Sequence, residues 1–179
     1  MAREPFNLIV THYPGYDNYS VARHQLTEAL ERYEIVDTSQ SIMLLLVDNP
    51  YRAVEVLKER IPRDTPILRI IPVDAVVDVY VERIGPVARD VLYRKSSSST
   101  ETFMLRVDGR LYRRSDGDVV RLHTSEAIEY IASFIDRPVN LKNPNWIIYV
   151  KVVKLYRTTE LASITVARPD QIVSFARGR

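Results

Sequence analysis

Residues 42–71 read IMLLLVDNPYRAVEVLKERIPRDTPILRII, and this stretch decides the fold of the first half of the chain. Ser41–Val47 is an apolar run of strand length. Asn49 and Pro50 then mark a helix start, because asparagine caps the first N–H groups and proline suits the first helical position. The apolar face of this helix consists of Ala53, Val54, Leu57 and Ile61. Ile67–Ile71 follows as a second apolar run, so the stretch predicts a strand, an amphipathic helix and a strand.

The residues before this stretch extend the pattern to a complete small domain. Asn7–Thr11 is rich in branched residues and predicts a strand, Tyr13–Tyr19 predicts a loop, and Ser20 is placed to cap a helix. The apolar face of that helix consists of Ala22, Leu26, Ala29, Leu30 and Tyr33. Ile35–Thr38 predicts a further strand. The order strand, helix, strand, strand, helix, strand is that of a ferredoxin-like domain, expected over residues 1–75 of an α+β protein.

The second half, residues 76–179, also mixes helices and strands, and it shows no convincing repeat of the first half. The boundary is expected near Pro72–Val79. A third helical pattern follows, in which Pro86 either starts the helix or kinks it. Phe103–Val107 then predicts a strand. These elements indicate a second α/β domain.

Two turn signals and one more helix complete this domain, and the second of these turns is predicted over Ser115–Asp118. Asp108-Gly109 is typical of a hairpin turn, so Arg110–Arg113 is expected to return as the partner of the preceding strand. Thr124 or Ser125 is expected to cap a helix. The last two predicted strands are Trp146–Val153 and Glu160–Ala167.

Charge is distributed unevenly between the two halves. Residues 1–82 carry 8 Lys or Arg against 13 Asp or Glu, a formal −5, whereas residues 83–179 carry 17 against 10, a formal +7. Several cations stand beside aromatic residues, as in Leu111–Arg114 and Lys154–Arg157. Arginine binds phosphate with a planar fork and stacks on bases. The basic half therefore favours a polyanionic partner.

The same residues argue against several kinds of catalytic site. The chain has no cysteine, which excludes disulfides and thiolate chemistry. His12, His24 and His123 have no metal-ligand spacing. Asp74 and Asp78 could form a general acid–base pair, but nothing else supports one. We therefore expect no enzyme activity, no metal and no cofactor, and the absence of a targeting signal predicts a cytoplasmic location.

The basic residues that fall on predicted elements are the candidate RNA contacts. On an alternating strand Arg106 points away from the apolar face, and Lys151 lies on a later strand. If those strands are neighbours, the charges could line one groove. Asn143 either bonds RNA or caps its turn. The candidates are Arg106, Arg110, Arg113, Arg114, Lys142, Asn143 and Lys151.

Three segments together resemble the THUMP domain, an RNA-binding module of tRNA-modifying proteins. They are Thr102–Val107 (TFMLRV), Thr124–Ile135 and Val139–Val150 (VNLKNPNWIIYV). The family tends to show a TFxVR strand, a short amphipathic helix and then VDLxNPDxxIxVE. Asn140 and Asn145 replace common aspartates, and Lys151 stands where an acidic residue is frequent. Asparagine keeps the turn chemistry of aspartate. Leu8–Thr11 is similar to the start of the ferredoxin-like domain that precedes THUMP.

The resemblance implies a ferredoxin-like domain followed by a THUMP α/β domain. THUMP enzymes join the module to a catalytic domain, and no such domain fits this chain. The stand-alone form resembles an adaptor that presents tRNA to a separate cytidine acetyltransferase. In the family the two domains grip the acceptor stem and the 3′ end of tRNA, which implies recognition of RNA shape and backbone.

Two other functions remain open from the sequence. The chain could be an RNA-modifying enzyme with an unrecognised site. It could also be a protein-interaction module that docks a partner through its acidic N-terminal half, a role compatible with RNA binding by the other half.

Overall fold

The structure is a computed structural model that describes residues 4–175, and these residues form two compact units. The first unit contains residues 4–73 and 170–175, and the second contains residues 74–169. The expectation of one domain over residues 76–179 is therefore wrong for the C-terminal segment. Val173 pairs with Ile70 and is buried in the apolar core of the first unit.

The first unit consists of one antiparallel sheet and two helices. Its elements are β1 (Leu8–His12), α1 (Tyr16–Ala29), β2 (Glu34–Thr38), β3 (Ile42–Leu46), α2 (Pro50–Arg60), β4 (Ile67–Pro72) and the C-terminal β11 (Val173–Ser174). The strand order is β11-β4-β1-β3-β2. The apolar residues on one sheet face and on the two helices form a single core.

The two helix starts in this unit differ from each other. The predicted cap of α2 is confirmed, since the backbone N–H of Arg52 donates to Asn49 Oδ1 at 3.1 Å. Helix α1 begins at Tyr16, before the predicted cap at Ser20. Gly15 precedes it with φ +116°, a conformation open to glycine and costly for other residues. Of the loop predicted over Tyr13–Tyr19, residues 13–15 precede the helix as expected, whereas Tyr16–Tyr19 form the first turn of α1.

The second unit contains a four-stranded sheet, a separate hairpin and two helices. Its elements are β5 (Ala75–Val77), α3 (Val81–Lys95), β6 (Phe103–Asp108), β7 (Tyr112–Ser115), β8 (Asp118–Arg121), α4 (Thr124–Ala132), β9 (Trp146–Leu155) and β10 (Thr159–Ala167). The sheet order is β5-β10-β9-β6. Strands β6 and β9 are parallel, and the other neighbours are antiparallel.

The predicted hairpin across Asp108-Gly109 is wrong. Strand β6 pairs with β9, and the hairpin forms one step later, between β7 and β8. Its turn is the second Asp-Gly pair of the chain, Asp116-Gly117, where both residues have positive φ. Asp108-Gly109 and Asp116-Gly117 have the same Asp-Gly turn propensity. The first pair is followed by Leu111, which is buried in the core and carries the chain away from β6.

Helices α3 and α4 pack together on one face of this sheet. A Cβ added to Gly85 would lie 2.2 Å from a ring atom of Phe134, which lies two residues after the end of α4, so glycine leaves room on α3 for this ring. Pro86 does not start α3, which begins at Val81. Helix α4 begins at Thr124 with His123 as its cap residue, and Glu126 accepts the His123 N–H at 2.9 Å. Within residues 4–175, no helix is long and apolar enough to cross a membrane.

Candidate nucleic-acid interface

The parallel pair β6 and β9 defines two ends of the second unit. Phe103 lies opposite Trp146 where both strands begin, and Asp108 lies opposite Lys151 where β6 ends. A strand of this length spans about 20 Å, so the two ends are separate surfaces. We call the end beyond Asp108 the carboxyl end and the end before Phe103 the amino end.

Arg106 and Lys151 project from the sheet face opposite helices α3 and α4. The Arg106 guanidinium carbon lies 5.1 Å from the centroid of the Tyr149 ring, and the residue is exposed. Lys151 Nζ lies 2.7 Å from Asp108 Oδ2, and its side chain is only 13% exposed. Arg106 is therefore accessible to a ligand, whereas the charge of Lys151 is held by Asp108.

Arg110 lies at the carboxyl end and is exposed. The preceding Gly109 has φ +112°, and a Cβ there would lie 2.6 Å from Val152 Cβ. This close approach places the backbone before Arg110 directly against β9. Among residues 4–175, Arg110 forms no ion pair. Its guanidinium is available for an anion.

Arg113 and Arg114 lie on the hairpin at the same end. The Arg114 guanidinium carbon lies 4.0 Å from the centroid of the Tyr80 ring, and the Arg114 N–H donates to Glu82 Oε2 at 2.9 Å. The Tyr80 ring also lies 6.4 Å from the Tyr112 ring. Arg114 is exposed and Arg113 is half-buried. A guanidinium stacked on an aromatic ring keeps its N–H edge open to phosphate.

Lys142 and Asn143 lie at the amino end, before β9 begins. The cap of their turn is Asn140, whose Oδ1 accepts the backbone N–H groups of Lys142 and Asn143 at 3.0 Å each. Asn145 Oδ1 separately accepts the N–H of Thr102 at 2.7 Å. The alternative in which Asn143 caps this turn is therefore wrong, because Asn140 is the cap. Its exposed side chain remains a candidate RNA contact.

The expected single groove is not formed, because the candidates occupy three places. Arg106 and Lys151 lie on neighbouring strands, as the groove required, but Lys142 and Asn143 lie at the opposite end from the hairpin. The largest group is at the carboxyl end. The candidate interface at that end therefore begins with three predicted residues, Arg110, Arg113 and Arg114.

The structure adds residues that the candidate set lacked. Arg121 lies opposite Tyr112 in the hairpin, and the β9–β10 turn carries Lys154, Tyr156 and Arg157. We name the whole group the carboxyl-end surface; it consists of Arg110, Arg113, Arg114, Arg121, Lys154 and Arg157 with Tyr80, Tyr112 and Tyr156. The alternation of cations with tyrosines was the available sequence signal for the turn. Arg121 had no such signal, because its place in the hairpin depends on which Asp-Gly pair forms the turn.

A carboxylate network organises the amino end. Glu101 Oε1 accepts hydrogen bonds from Ser96 Oγ at 2.8 Å and Trp146 Nε1 at 3.2 Å, and Glu101 Oε2 lies 3.2 Å from Arg168 Nη1. The Arg168 guanidinium carbon lies 3.9 Å from the centroid of the Trp146 ring. These donors, led by Ser96 and Trp146, lower the pKa of Glu101 to about 2. Arg168 is engaged within the protein, so this end offers fewer accessible cations.

The carboxylates considered for acid–base chemistry have structural partners. Asp74 lies 2.7 Å from Lys95 Nζ and accepts the Val166 N–H at 2.7 Å. Burial lowers the pKa of Lys95, against the opposing effect of Asp74. Asp78 accepts the N–H of Tyr80 at 3.2 Å. These contacts tie α3 to β10 and to the start of the second unit.

The solved structures that share this fold include two that match at least nine-tenths of this chain. PH1313 from Pyrococcus horikoshii Ot3 matches with a TM-score of 0.63 and 20% identity over 90% of this chain. A 4-thiouridine synthetase in complex with RNA and ATP matches with a TM-score of 0.56 and 12% identity over 94% of this chain. These matches show that the chain shares its mixed α+β fold with both structures. No protein-family model and no curated protein matches the sequence.

The chain corresponds to only part of each structure. It spans 54% of PH1313 and 42% of the synthetase. At these identities the likeness establishes the fold.

Proposed function

We propose that this chain is a non-catalytic tRNA-binding protein that presents tRNA to a separate modification enzyme. The observation that carries the proposal is the carboxyl-end surface, which gathers exposed arginines beside tyrosine rings. The synthetase with the same fold was solved with RNA bound, which supports RNA as the ligand. The strand order β4-β1-β3-β2 within the first sheet supports a ferredoxin-like assignment for that unit.

The proposed partner enzyme is a cytidine acetyltransferase, and the proposed contacts are with the acceptor stem and the 3′ end of tRNA in the cytoplasm. Support comes from the THUMP resemblance of residues 102–150. The distribution of charge between the two units also supports the proposal, because the second unit is net positive and the first is net negative. Residues 74–169 carry 15 Lys or Arg against 12 Asp or Glu, whereas residues 4–73 with 170–175 carry 7 against 11. The basic unit suits the RNA.

Salt dependence tests the RNA contact. Binding of labelled tRNA to the full chain is measured by fluorescence anisotropy over a potassium chloride series. Affinity should fall with a log–log slope of about −0.7 to −0.9 per phosphate contact. Removing Arg110 or Arg114 by alanine substitution should weaken binding and reduce the slope by about 1 each. The control is Arg32→Ala, an exposed arginine of the first unit that lies 3.4 Å from Asp48. Salt-insensitive binding, or no binding to tRNA, overturns the proposal.

The adaptor role has its own test. The purified chain is incubated with tRNA and acetyl-coenzyme A, with and without a tRNA cytidine acetyltransferase, and nucleosides are analysed by mass spectrometry. Acetylcytidine should form only with both proteins present. Formation of any modified nucleoside by the chain alone would establish an enzyme instead.

A further inference from the structure

The turn between β9 and β10 presents an aromatic ring in an unusual backbone conformation. Leu155 pairs with Thr159, and the turn consists of the three residues between them. Tyr156 has φ +54° and Arg157 has φ +69°. Positive φ is costly for side chains with a Cβ, and bulky residues rarely adopt it. Glycine or asparagine would satisfy such a turn at lower cost.

The strained residue is not used to build the core. Tyr156 is 62% exposed and stands at the tip of the turn. Buried tyrosines of the same unit, such as Tyr149, contribute contact area to the interior, whereas Tyr156 is an exposed residue. Strain held at an exposed position points to function when the surrounding structure imposes it. Here the ladder of β9 and β10 imposes it, because nine consecutive residue pairs hold the two strands in register.

Cations flank Tyr156 along the chain. Arg157 follows it directly, and Lys154 precedes it by two residues; both are exposed. Arg110 follows Gly109, where an added Cβ would lie 2.6 Å from Val152 Cβ, and Val152 stands two residues before Lys154 in β9. Within residues 4–175, none of the three cations forms an ion pair. One acidic residue, Glu160, stands opposite Lys154 in the ladder.

An exposed ring flanked by cations matches the chemistry of an unpaired nucleotide. A base can stack on a tyrosine ring while its phosphates meet neighbouring cations, and such stacking tolerates any base. A base within a duplex is already stacked on its neighbours and does not offer its face. The arrangement therefore suits single-stranded RNA better than a helix.

We propose that Tyr156 is a stacking platform for an unpaired nucleotide of the bound RNA, with Arg110, Lys154 and Arg157 holding the adjacent phosphates. This inference rests on the proposed function and assigns one subsite within it. The paired strands hold the turn, and with it the exposed Tyr156, in one conformation before RNA arrives. A preorganised ring loses little freedom when a base stacks on it.

The test compares two RNA probes and three proteins. The probes are a blunt RNA duplex and the same duplex with a short single-stranded extension that contains 2-aminopurine. The proteins are the full chain, Tyr156→Phe and Tyr156→Asn. Asparagine tolerates positive φ, so the Asn variant should melt at or above the wild-type temperature while lacking the ring. Tyr16→Asn, at a tyrosine that is 79% exposed in the first unit, is the matched control.

The expected results follow from base stacking. The wild-type chain should bind the extended probe more tightly than the blunt one and quench its 2-aminopurine fluorescence. Tyr156→Asn should weaken binding of the extended probe by roughly 5- to 100-fold. The Tyr156→Asn variant should bind the blunt duplex as tightly as the wild type does, and it should not quench the 2-aminopurine fluorescence. Tyr156→Phe and Tyr16→Asn should behave like the wild type in both measurements.

Three outcomes overturn the inference. If Tyr156→Asn binds the extended probe as tightly as the wild type, the ring is not a platform. If Tyr156→Asn weakens both probes equally, the ring contacts duplex RNA instead. If the wild type binds both probes equally, the inference fails while RNA binding stands. Only a wild-type chain that binds neither probe nor tRNA would also remove the proposed function.

Discussion

At the scale of single residues, Glu101 shows how one carboxylate can order a polar segment. It accepts hydrogen bonds from Ser96 and Trp146 and forms an ion pair with Arg168, and these contacts lower its pKa to about 2 from an ordinary value of 4.5. Nothing in the local sequence marks it, because its partners lie up to 67 residues away. Residues of this kind are identified only when the fold brings distant donors together.

The lowered pKa of Glu101 predicts a dependence of stability on pH. A carboxyl group whose pKa is lower in the folded state stabilises the fold above the unfolded pKa, and this stabilisation is lost as pH falls. The loss should therefore occur between about pH 4.5 and pH 2. Chemical denaturation at several pH values should show a shallower acid dependence for Glu101→Gln than for the wild type. Parallel pH profiles would contradict this assignment.

Gly109 gives a second prediction at a single residue. Its φ of +112° disfavours any side chain, and an added Cβ would meet Val152 Cβ at 2.6 Å. Gly109→Ala should lower the free energy of unfolding by about 2 kcal/mol or more, measured by urea denaturation. The matched control is Gly117→Ala, where φ is +85° but nothing lies within 4 Å of the added Cβ. Equal losses for the two variants would show that contact with Val152 is unimportant.

At the scale of elements, the packing of the segment after α4 against α3 depends on the missing side chain at Gly85. An added Cβ would lie 2.2 Å from the Phe134 ring. Gly85→Ala should destabilise the protein by about 1–3 kcal/mol through overpacking. Combining it with Phe134→Leu should recover part of the loss, and a double-mutant cycle measures the coupling. Additive losses would mean that the two residues do not meet as described.

The elements also show where sequence patterns succeed and where they mislead. The start of α2 was predictable because Asn49 and Pro50 are local signals whose geometry needs no distant partner. The hairpin was misplaced because Asp108-Gly109 and Asp116-Gly117 have the same turn propensity. The choice between them depends on β9, which lies far along the chain and pairs with β6 in parallel. A parallel partner leaves no turn signal next to the strand it joins.

At the scale of the whole molecule, the chain returns to the first unit after completing the second. Val173 lies opposite Ile70 and is buried, although β11 contains only two residues. Val173→Ala should destabilise the protein by about 2 kcal/mol through lost apolar burial. In hydrogen-exchange measurements on the Val173→Ala variant, the amides of β4 should exchange faster with solvent than in the wild type, while the amides of β9 and β10 should exchange as slowly as before. Loss of protection in β9 and β10 alone would contradict the assignment of this strand.

The sequence by itself determined the α+β class, the order of the first six elements and the concentration of positive charge in the second half. These properties depend on periodicity, caps and composition, which are local or summed quantities. Tertiary structure decided which strands became partners and therefore which cations share a surface. The carboxyl-end surface joins Arg110 to Lys154 and Arg157, more than 40 residues later, because β6 and β9 run side by side. Distant strands could pair in many registers, and the register that buries the apolar core is the one that forms.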